Sequence, residues 1–171
     1  MEHQREQGGM RFGLFGITVG PLGADLRAAI TVAGLAEREG WESVWAAEHY
    51  VLPDPAGPDS PGPSRTPIAD AWVALAAVAA TTERIGIGTG VTVAPYHHPV
   101  ALAKEAASLD RLSLGRFRLG LGVGYLRAEF DALGQPLAGR HGPARAGTAG
   151  SSIRPPPPRP PIRSGWSAGP C

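Results

Sequence analysis

Four apolar runs with the character of buried β-strands alternate along the chain with segments of helical periodicity. The runs cover residues 10–17, 41–47, 84–93 and 116–124, and the helical segments follow them at 22–39, 66–80, 98–114 and 126–133. Each connection is long enough for a crossover helix, so the order βαβαβαβα predicts an α/β fold with a parallel sheet and right-handed connections. An open doubly wound sheet and part of a (β/α)8 barrel share this pattern, and both place ligands at the carboxyl ends of the strands.

The sequence marks the start of two of these helices. Thr66 and Pro67 are the predicted N-cap and first helical residue of the second segment, and Asp70 complements the helix dipole there. His98 and Pro99 repeat the pattern before the third segment. Both helices are therefore expected to begin at a proline that a polar residue precedes.

The composition changes abruptly near residue 138. Residues 1–137 carry all 15 acidic and 11 of the 16 basic residues, whereas residues 138–171 carry five Arg and no acid. The overall charge of +1 combines −4 with +5 from two unlike parts, so it gives no reason to expect a nucleic-acid partner. The last part also holds eight Pro and six Gly without any period. We expect residues 138–171 to form a disordered tail and residues 1–9 a disordered polar lead.

Residue usage argues against a secreted, metal-binding or membrane protein. The one Cys, Cys171, permits neither an internal disulfide nor a Cys-based metal site. Residues 1–7 have no apolar signal-peptide core, and the most apolar later stretch, residues 69–80, is too short to span a membrane. We therefore expect a cytoplasmic protein without a membrane partner.

The carboxyl end of the second run carries an ionisable pair, Glu48 and His49, at the start of a Pro- and Gly-rich loop over residues 49–66. A His at the mouth of a sheet can donate or accept a proton near neutral pH. From position alone, a loop His that only hydrogen-bonds its neighbours is the favoured interpretation. His97 and His98 are adjacent, but no His-Glu-x-x-His motif accompanies them, so we predict no metal site.

Glycines interrupt the ends of the third and fourth runs. Gly88 and Gly90 lie inside a predicted strand, where Gly marks a bulge or the close approach of a backbone or flat ligand, unless small residues serve only helix packing. Residues 120–124 read Gly-Leu-Gly-Val-Gly and can expose N–H groups to a phosphate. They are not the dinucleotide fingerprint, because the third Gly is at the wrong offset and the segment follows the fourth strand instead of the first.

Several short motifs occur together in an order that resembles one family. They are the stretches 10–15, 37–45 (Glu-Arg-Glu-Gly-Trp-Glu-Ser-Val-Trp), 48–49, 82–91, 95–99, 103–104, 109–112, 115–117 and 122–125, with Glu129-Phe130 after them. As an ordered set over residues 10–137, they closely resemble the bacterial luciferase-like monooxygenase superfamily. Within it, the sequence is most similar to oxidoreductases that depend on the deazaflavin coenzyme F420.

The resemblance implies a (β/α)8 barrel in which a reduced flavin or deazaflavin lies at the carboxyl ends of the strands. It implies a cis peptide bond between Gly90 and Val91, against the cofactor ring. It also implies that His49 is the catalytic residue, exchanging a proton with substrate while hydride moves between substrate and C5 of F420. The residues implied to contact the cofactor are Glu48, Thr89, Gly90, Val91, Gly122, Val123, Gly124 and Tyr125.

Two features depart from the family pattern. Leu114 stands before Gly115 where the family commonly has Gly or Asn, which strains the turn if the position needs a positive φ. A (β/α)8 barrel typically needs about 250 residues, and residues 10–137 provide only its first four βα units, the N-terminal half. We expect a truncated chain of doubtful activity, and of low stability because two sheet edges stay open. A reading-frame shift or truncated gene model is the expected cause of the change at residue 138.

The sequence thus predicts an F420-dependent oxidoreductase that acts by hydride transfer on a small organic molecule. An FMNH2-dependent monooxygenase, with FMN as the cofactor, is the alternative on the same scaffold. The alternative of another class is a non-catalytic, truncated or decayed domain that at most associates with other barrel chains. The resemblance also allows a homodimer for the full-length protein.

Overall fold

The computed structural model describes residues 10–138 of the 171-residue chain; the predictions for residues 1–9 and 139–171 lie outside this part. Its strands are β1 (Gly13–Phe15), β2 (Ser43–Ala46), β3 (Gly86–Thr89), β4 (Thr92–Val93), β5 (Phe117–Arg118) and β6 (Leu121–Gly122). Its helices are α1 (Pro21–Ala24), α2 (Leu26–Arg38), α3 (Ala71–Thr81), α4 (Pro99–Leu112) and α5 (Arg127–Ala132), with a 3₁₀ turn at Ala94–Tyr96. No helix between residues 10 and 138 is long and apolar enough to cross a membrane.

The strands form a parallel sheet in the order β1-β2-β3-β5, and β4 pairs with β6, also in parallel. The predicted parallel βα fold is therefore confirmed. Each new strand adds on the same side, whereas the order of a doubly wound sheet reverses, so the arrangement is that of a partial (β/α)8 barrel. The third and fourth runs differ from prediction in being broken, between β3 and β4 and between β5 and β6.

The helices pack on one face of this sheet and form the core there. Its most buried members are Ile17, Ala33, Val44, Ala46, Leu75, Val78, Ile85 and Ile87. Each Val, Leu or Ile side chain buried in this way contributes about 1.5–3 kcal/mol. The alanines of α2 and α3 allow these helices to lie close to each other and to the strands.

Close packing on the other face of the sheet requires a glycine at position 88. A Cβ at Gly88 would lie 2.5 Å from Cζ3 of Trp45 on the neighbouring strand β2. The indole N–H of Trp45 donates to Oγ of Ser43 at 2.9 Å, which holds the ring in place. Gly88 is thus required by close packing against the Trp45 ring and the carbonyl of Arg118.

Helix α3 begins later than predicted. Asp70 is its N-cap, because the side chain accepts the backbone N–H three residues further on at 2.8 Å. Thr66 and Pro67 remain in the preceding loop. There, the carbonyl of Pro67 accepts a hydrogen bond from the backbone N–H of the residue that caps α1. Helix α4 begins where predicted, but the side chain of His98 makes no capping hydrogen bond.

Arg116 joins three elements at the amino-terminal end of the sheet. Its guanidinium group donates to five oxygens at 2.7–3.0 Å: the carbonyls of Ala79, Thr82, Ile85 and Ser113 and the hydroxyl of Thr82. These carbonyls end α3, lead into β3 and precede β5. One side chain therefore satisfies backbone groups that have no partner in a helix or strand.

Glu37 performs a similar task from α2, although helical periodicity places it on the solvent face. Its carboxylate accepts the N–H groups of Glu83, Arg84 and Ile85 at 2.6–3.3 Å. Burial raises the pKa of this carboxyl, but the three hydrogen bonds and the charge of Arg84 outweigh burial and hold the pKa below its ordinary value. Glu37 thus fixes the turn between α3 and β3 as an ionised group.

Leu114 adopts a positive φ of 58° in the turn between α4 and β5. Non-glycine residues enter this left-handed region at a cost of about 1–2 kcal/mol. The side chain is 62% exposed, so it recovers little of that cost by packing. The turn does need the positive φ that a Gly or Asn at this position provides.

We expect Leu114→Gly to raise the free energy of unfolding by about 1 kcal/mol, because Gly adopts the left-handed region without a steric penalty. Urea unfolding followed by circular dichroism measures the change. Leu112→Gly is the matched control, since Leu112 ends α4 in helical conformation and Gly there lowers the same quantity by about 1 kcal/mol. A loss of stability in Leu114→Gly would contradict the prediction.

Candidate functional site

A cavity of about 560 Å³ opens at the carboxyl ends of the strands. The ends of β1 and β2, the loop over residues 52–68, the Gly90-Val91 segment and residues 122–125 form its walls. Apolar side chains such as Phe15, Ile68 and Val123 make up most of this surface. The volume is that of a small-molecule or cofactor site, at the edge where parallel βα folds bind their ligands.

The residues that the resemblance implies lie at this cavity, with the exception of Thr89. The walls include Glu48, His49, Gly90, Val91, Gly122, Val123, Gly124 and Tyr125. Thr89 is fully buried, and its hydroxyl donates to the carbonyl of Gly120 and accepts its N–H at 2.9 and 3.0 Å. Thr89 therefore joins β3 to the segment between β5 and β6 and does not line the cavity.

The floor of the cavity is the Gly90-Val91 segment. The peptide bond between these residues is cis, as the resemblance implies. A Cβ at Gly122 would lie 2.4 Å from Cγ2 of Val91, so only glycine allows β6 to approach this side chain. A Cβ at Gly124, whose φ is 72°, would likewise lie too close to Val93. The glycines of this segment thus allow residues 122–124 to pack closely against residues 91–93.

His49 lies at the wall of the cavity and bonds to an acidic side chain from α5. Its Nδ1 is 3.1 Å from Oε2 of Glu129, and its side chain is 15% exposed. The ring packs edge-on against Tyr125 at 6.3 Å between centroids. Among residues 10–138, its Nε2 has no hydrogen-bond partner, so this nitrogen is free for a group bound in the cavity.

Glu129 is almost completely buried, with 1% of its side chain exposed. Besides the His49 ring, its carboxylate accepts the N–H of Tyr50 at 2.6 Å and the hydroxyl of Tyr96 at 3.1 Å. Burial raises the pKa of this carboxyl, but the hydrogen bonds from His49, Tyr50 and Tyr96 outweigh burial and lower the pKa below its ordinary value. Glu129 is therefore an ionised carboxylate with three donors around it.

Glu48 and His97 form a second buried carboxylate–histidine pair, next to that of Glu129 and His49. Oε2 of Glu48 accepts the N–H of Val93 at 2.7 Å, and its Oε1 lies 2.9 Å from Nε2 of His97. The Glu48 side chain is 5% exposed. Both carboxylate oxygens are thus engaged within the protein, so Glu48 borders the cavity and mainly braces the end of β2 against β4.

Tyr50 lies between the two carboxylate–histidine pairs. Its ring packs against Tyr96 at 5.8 Å and against His97 at 6.2 Å between centroids. Burial and the charges of nearby carboxylates, Glu48 first among them, raise the pKa of the Tyr50 hydroxyl to about 12. This phenol stays protonated and neutral at neutral pH, and the donor that Tyr50 gives to Glu129 is its backbone N–H.

Sequence reasoning did not identify Glu129, Tyr96 or His97 as site residues. Glu129 belongs to a six-residue helix, too short for periodicity to show which side faces inwards. Its signals are the Glu129-Phe130 motif of the family resemblance and its position, on the helix that follows the glycine-rich end of the fourth run. Within residues 10–138, His97 belongs to no group of three or more His, Cys, Asp or Glu that could hold a metal ion.

A partial βα barrel with an apolar cavity and a histidine bonded to a buried carboxylate at its strand ends defines a class of small-molecule site. Residues 10–145 match the family described as luciferase-like monooxygenase, and the chain belongs to this family. The expectation from the ordered motifs is therefore confirmed at the level of the family. The fold is that of other members, whose structures superimpose on about three quarters of the chain.

Relatives of two kinds are similar to the chain. The 4-hydroxyprotoasukamycin monooxygenase of Streptomyces nodosus subsp. asukaensis is 35% identical over 127 residues, 72% of this chain and 31% of that protein. The F420-dependent hydroxymycolic acid dehydrogenase of Mycobacterium tuberculosis is 41% identical over 93 residues, 54% of this chain and 24% of that protein. Similarity therefore extends to a monooxygenase and to an F420-dependent dehydrogenase.

A solved structure shows the same fold with a cofactor. It is the oxygenating constituent of 3,6-diketocamphane monooxygenase from Pseudomonas putida, in complex with FMN. It matches with a TM-score of 0.60 and 25% identity over 76% of this chain and 34% of that chain. The chain thus spans about a third or less of the length of each of these three relatives.

Proposed function

We propose that the protein is an oxidoreductase that transfers hydride between coenzyme F420 and a small organic substrate, with His49 as the proton-transfer residue. The observation that carries the proposal is the position of His49. Its ring lines the same apolar cavity as the cis Gly90-Val91 peptide, and its Nε2 has no hydrogen-bond partner among residues 10–138. The similarity to an F420-dependent dehydrogenase supports the choice of cofactor.

The cavity suits the flat ring of a deazaflavin. Glycine at 90 and 122 leaves the floor free of bulky groups, and the exposed methyl groups of Val91 offer an apolar surface to a ring. The residues proposed to hold the ring are Gly90, Val91, Gly122, Val123, Gly124 and Tyr125, with Glu48 at the border. Among the described residues, no Lys or Arg lines the cavity, so they fit the ring and not the phosphate end of the cofactor. When bound, F420 supplies a carbon centre, C5, that takes or gives a hydride.

His49 handles the proton that must accompany the hydride. When a substrate carbon loses hydrogen with its electron pair, the oxygen or nitrogen attached to that carbon loses a proton, and Nε2 of His49 accepts it. In the reverse direction the same nitrogen returns the proton. The side chain of His49 is only 15% exposed, which favours direct transfer between its imidazole and a bound substrate.

The monooxygenase alternative rests on the same scaffold. The relatives include a monooxygenase and a structure in complex with FMN, and the described site residues do not distinguish the two cofactors. The cavity lining is compatible with an isoalloxazine ring for the same reasons as with a deazaflavin. A non-catalytic domain is the remaining alternative, and it is distinguished by a failure to bind either ring.

We also propose that residues 10–137 form one structural unit, the first four βα units of the barrel. The four parallel strands, the unreversed strand order and the single helix-covered face support this assignment. Small molecules that enter a cavity of about 560 Å³ are the proposed substrates. A homodimer is proposed only for the full-length member of the family.

Titration with F420 and with FMN tests the proposal. We expect fluorescence quenching of F420 on addition of the chain, with tighter binding than for FMN, and absorbance changes of F420 with substrate. Tighter binding of FMN, with oxygen consumption by the reduced complex, would establish the monooxygenase alternative instead. If neither cofactor binds to protein shown by circular dichroism to be folded, the non-catalytic alternative is correct.

A further inference from the structure

The carboxylate of Glu129 holds both the side chain and the backbone next to His49. One oxygen, Oε2, is 3.1 Å from Nδ1 of the His49 ring, and the other, Oε1, accepts the N–H of the following residue, Tyr50, at 2.6 Å. The ring and the peptide that carries it are therefore fixed by one buried group. Tyr96 completes the arrangement by donating its hydroxyl to Oε2 at 3.1 Å.

The charge state of Glu129 determines which ring nitrogen of His49 carries the proton. An ionised carboxylate only accepts hydrogen bonds. The pKa of Glu129 is lowered, despite the opposing effect of its burial, so this carboxyl is ionised at neutral pH. A neutral His49 that bonds to it must therefore have its proton on Nδ1, which leaves Nε2 with a lone pair.

We propose that Glu129 is a positioning residue that fixes the orientation and tautomer of His49, so that Nε2 faces the cavity as a proton acceptor. The inference rests on the proposed function for its catalytic consequence, and on the contacts and the ionised state of Glu129 for the tautomer. Once His49 has accepted a proton, the negative charge of Glu129 stabilises the resulting imidazolium. The titratable groups around the pair include the phenols of Tyr50, Tyr96 and Tyr125, whose raised pKa values keep them neutral at neutral pH. Glu48 with its partner His97 lies across Tyr50, and Asp70 lies on the same side of His49.

Glu129→Gln provides a sharp test because the surrounding donors dictate how the amide must turn. The N–H of Tyr50 requires an acceptor, so the carbonyl oxygen of the new side chain takes the place of Oε1. The amide NH₂ then takes the place of Oε2 and donates to Nδ1 of His49. The proton of the neutral His49 ring must consequently move to Nε2. Tyr96→Phe is the matched control, since it removes one donor and keeps the carboxylate.

Long-range ¹H–¹⁵N correlation spectra of the ¹⁵N-labelled chain report the tautomer directly, with the His49 signals assigned from the His49→Gln variant. We expect the Nδ1–H tautomer in the wild type and in Tyr96→Phe, and the Nε2–H tautomer in Glu129→Gln. An Nε2–H tautomer in the wild type would overturn the proposal, and this result does not depend on whether any variant folds. An Nδ1–H tautomer in folded Glu129→Gln would overturn it as well.

Kinetics with F420 test the catalytic consequence. We expect Glu129→Gln to lower kcat by roughly 100-fold, within the range that general acid–base catalysis contributes, while KM stays nearly constant. Glu129→Asp keeps the charge and should recover part of kcat, which a purely structural role for the side chain would not produce. A wild-type chain with the Nδ1–H tautomer but no turnover would refute the proposed function and leave the positioning role intact. Unchanged kcat in Glu129→Gln would refute the positioning role.

Discussion

Replacing His49 by glutamine is expected to lower F420-dependent turnover by about 10²–10⁴-fold, the contribution that a positioned acid–base group makes. Glutamine is similar in size and polar, so it fills the same part of the cavity wall, but it cannot accept a proton near neutral pH. The affinity for F420 should change little, because the apolar floor at Val91 and the glycines opposite it remain. The loss should therefore appear in kcat and not in cofactor binding.

His98→Gln is the matched control for this substitution. His98 is exposed, makes no side-chain hydrogen bond to α4 and does not line the cavity. The control variant should have wild-type turnover when F420 absorbance is followed at saturating substrate. Equal turnover in His49→Gln and His98→Gln would show that His49 is a loop histidine without a catalytic role, the interpretation that its position in the sequence alone favours.

Arg116→Met is expected to lower the free energy of unfolding by about 3 kcal/mol, since an unsatisfied buried polar group costs about 1–3 kcal/mol. The guanidinium serves five oxygens, and methionine replaces the stem of the side chain but none of the donors. Carbonyls at the end of α3 and the start of β3 then lose their partner. Urea or thermal unfolding followed by circular dichroism measures the loss.

Arg118→Met separates this effect from the loss of an arginine in general. Arg118 is half exposed and pairs with Glu42 at 3.0 Å on the surface. Exposed ion pairs of this kind contribute at most about 1 kcal/mol, so the control should be nearly as stable as the wild type. A similar loss in both variants would mean that the hydrogen bonds of Arg116 do not fasten the sheet.

The order of elements was predictable because it depends on local patterns. Apolar runs and helical periods are visible in short windows of sequence, and the parallel sheet follows from the length of the connections. The breaks within the third and fourth runs were less visible. At the break of the fourth run, Gly120 bonds through its carbonyl and its N–H to the hydroxyl of Thr89, a residue 31 positions away that it meets only in the folded sheet.

The start of α3 shows why capping signals alone were insufficient. Thr66 and Pro67 have the residue types of a helix start, but a tertiary hydrogen bond to the carbonyl of Pro67 keeps them in the loop. Asp70 then caps the helix with a good 2.8 Å bond. Thr66 and Asp70 are both residue types that cap helices. Tertiary contacts, which the local sequence does not show, therefore decide which of them caps α3.

The site was predictable in part. Family motifs predicted the cis peptide between Gly90 and Val91 and the place of His49 at the cavity, because both follow strand ends, where the fold binds its ligands. Glu129 escaped detection as the partner of His49, since the pair is separated by 80 positions. In so short a helix, the sequence pattern does not distinguish a buried acidic residue from an exposed one. The three hydrogen-bond donors around Glu129 come together only in the folded structure.

Binding of F420 to Gly122→Ala is the most direct test of the central claim, that the ring lies on the floor formed by Val91. The added Cβ would lie 2.4 Å from Cγ2 of Val91 and must displace this floor, whereas the same substitution at Gly57 meets no atom within 4 Å. Fluorescence titration should show equal affinity for the wild type and Gly57→Ala, and an affinity lower by about tenfold for Gly122→Ala, equivalent to about 1.4 kcal/mol. Equal affinity in all three proteins, each shown to be folded, would contradict the account.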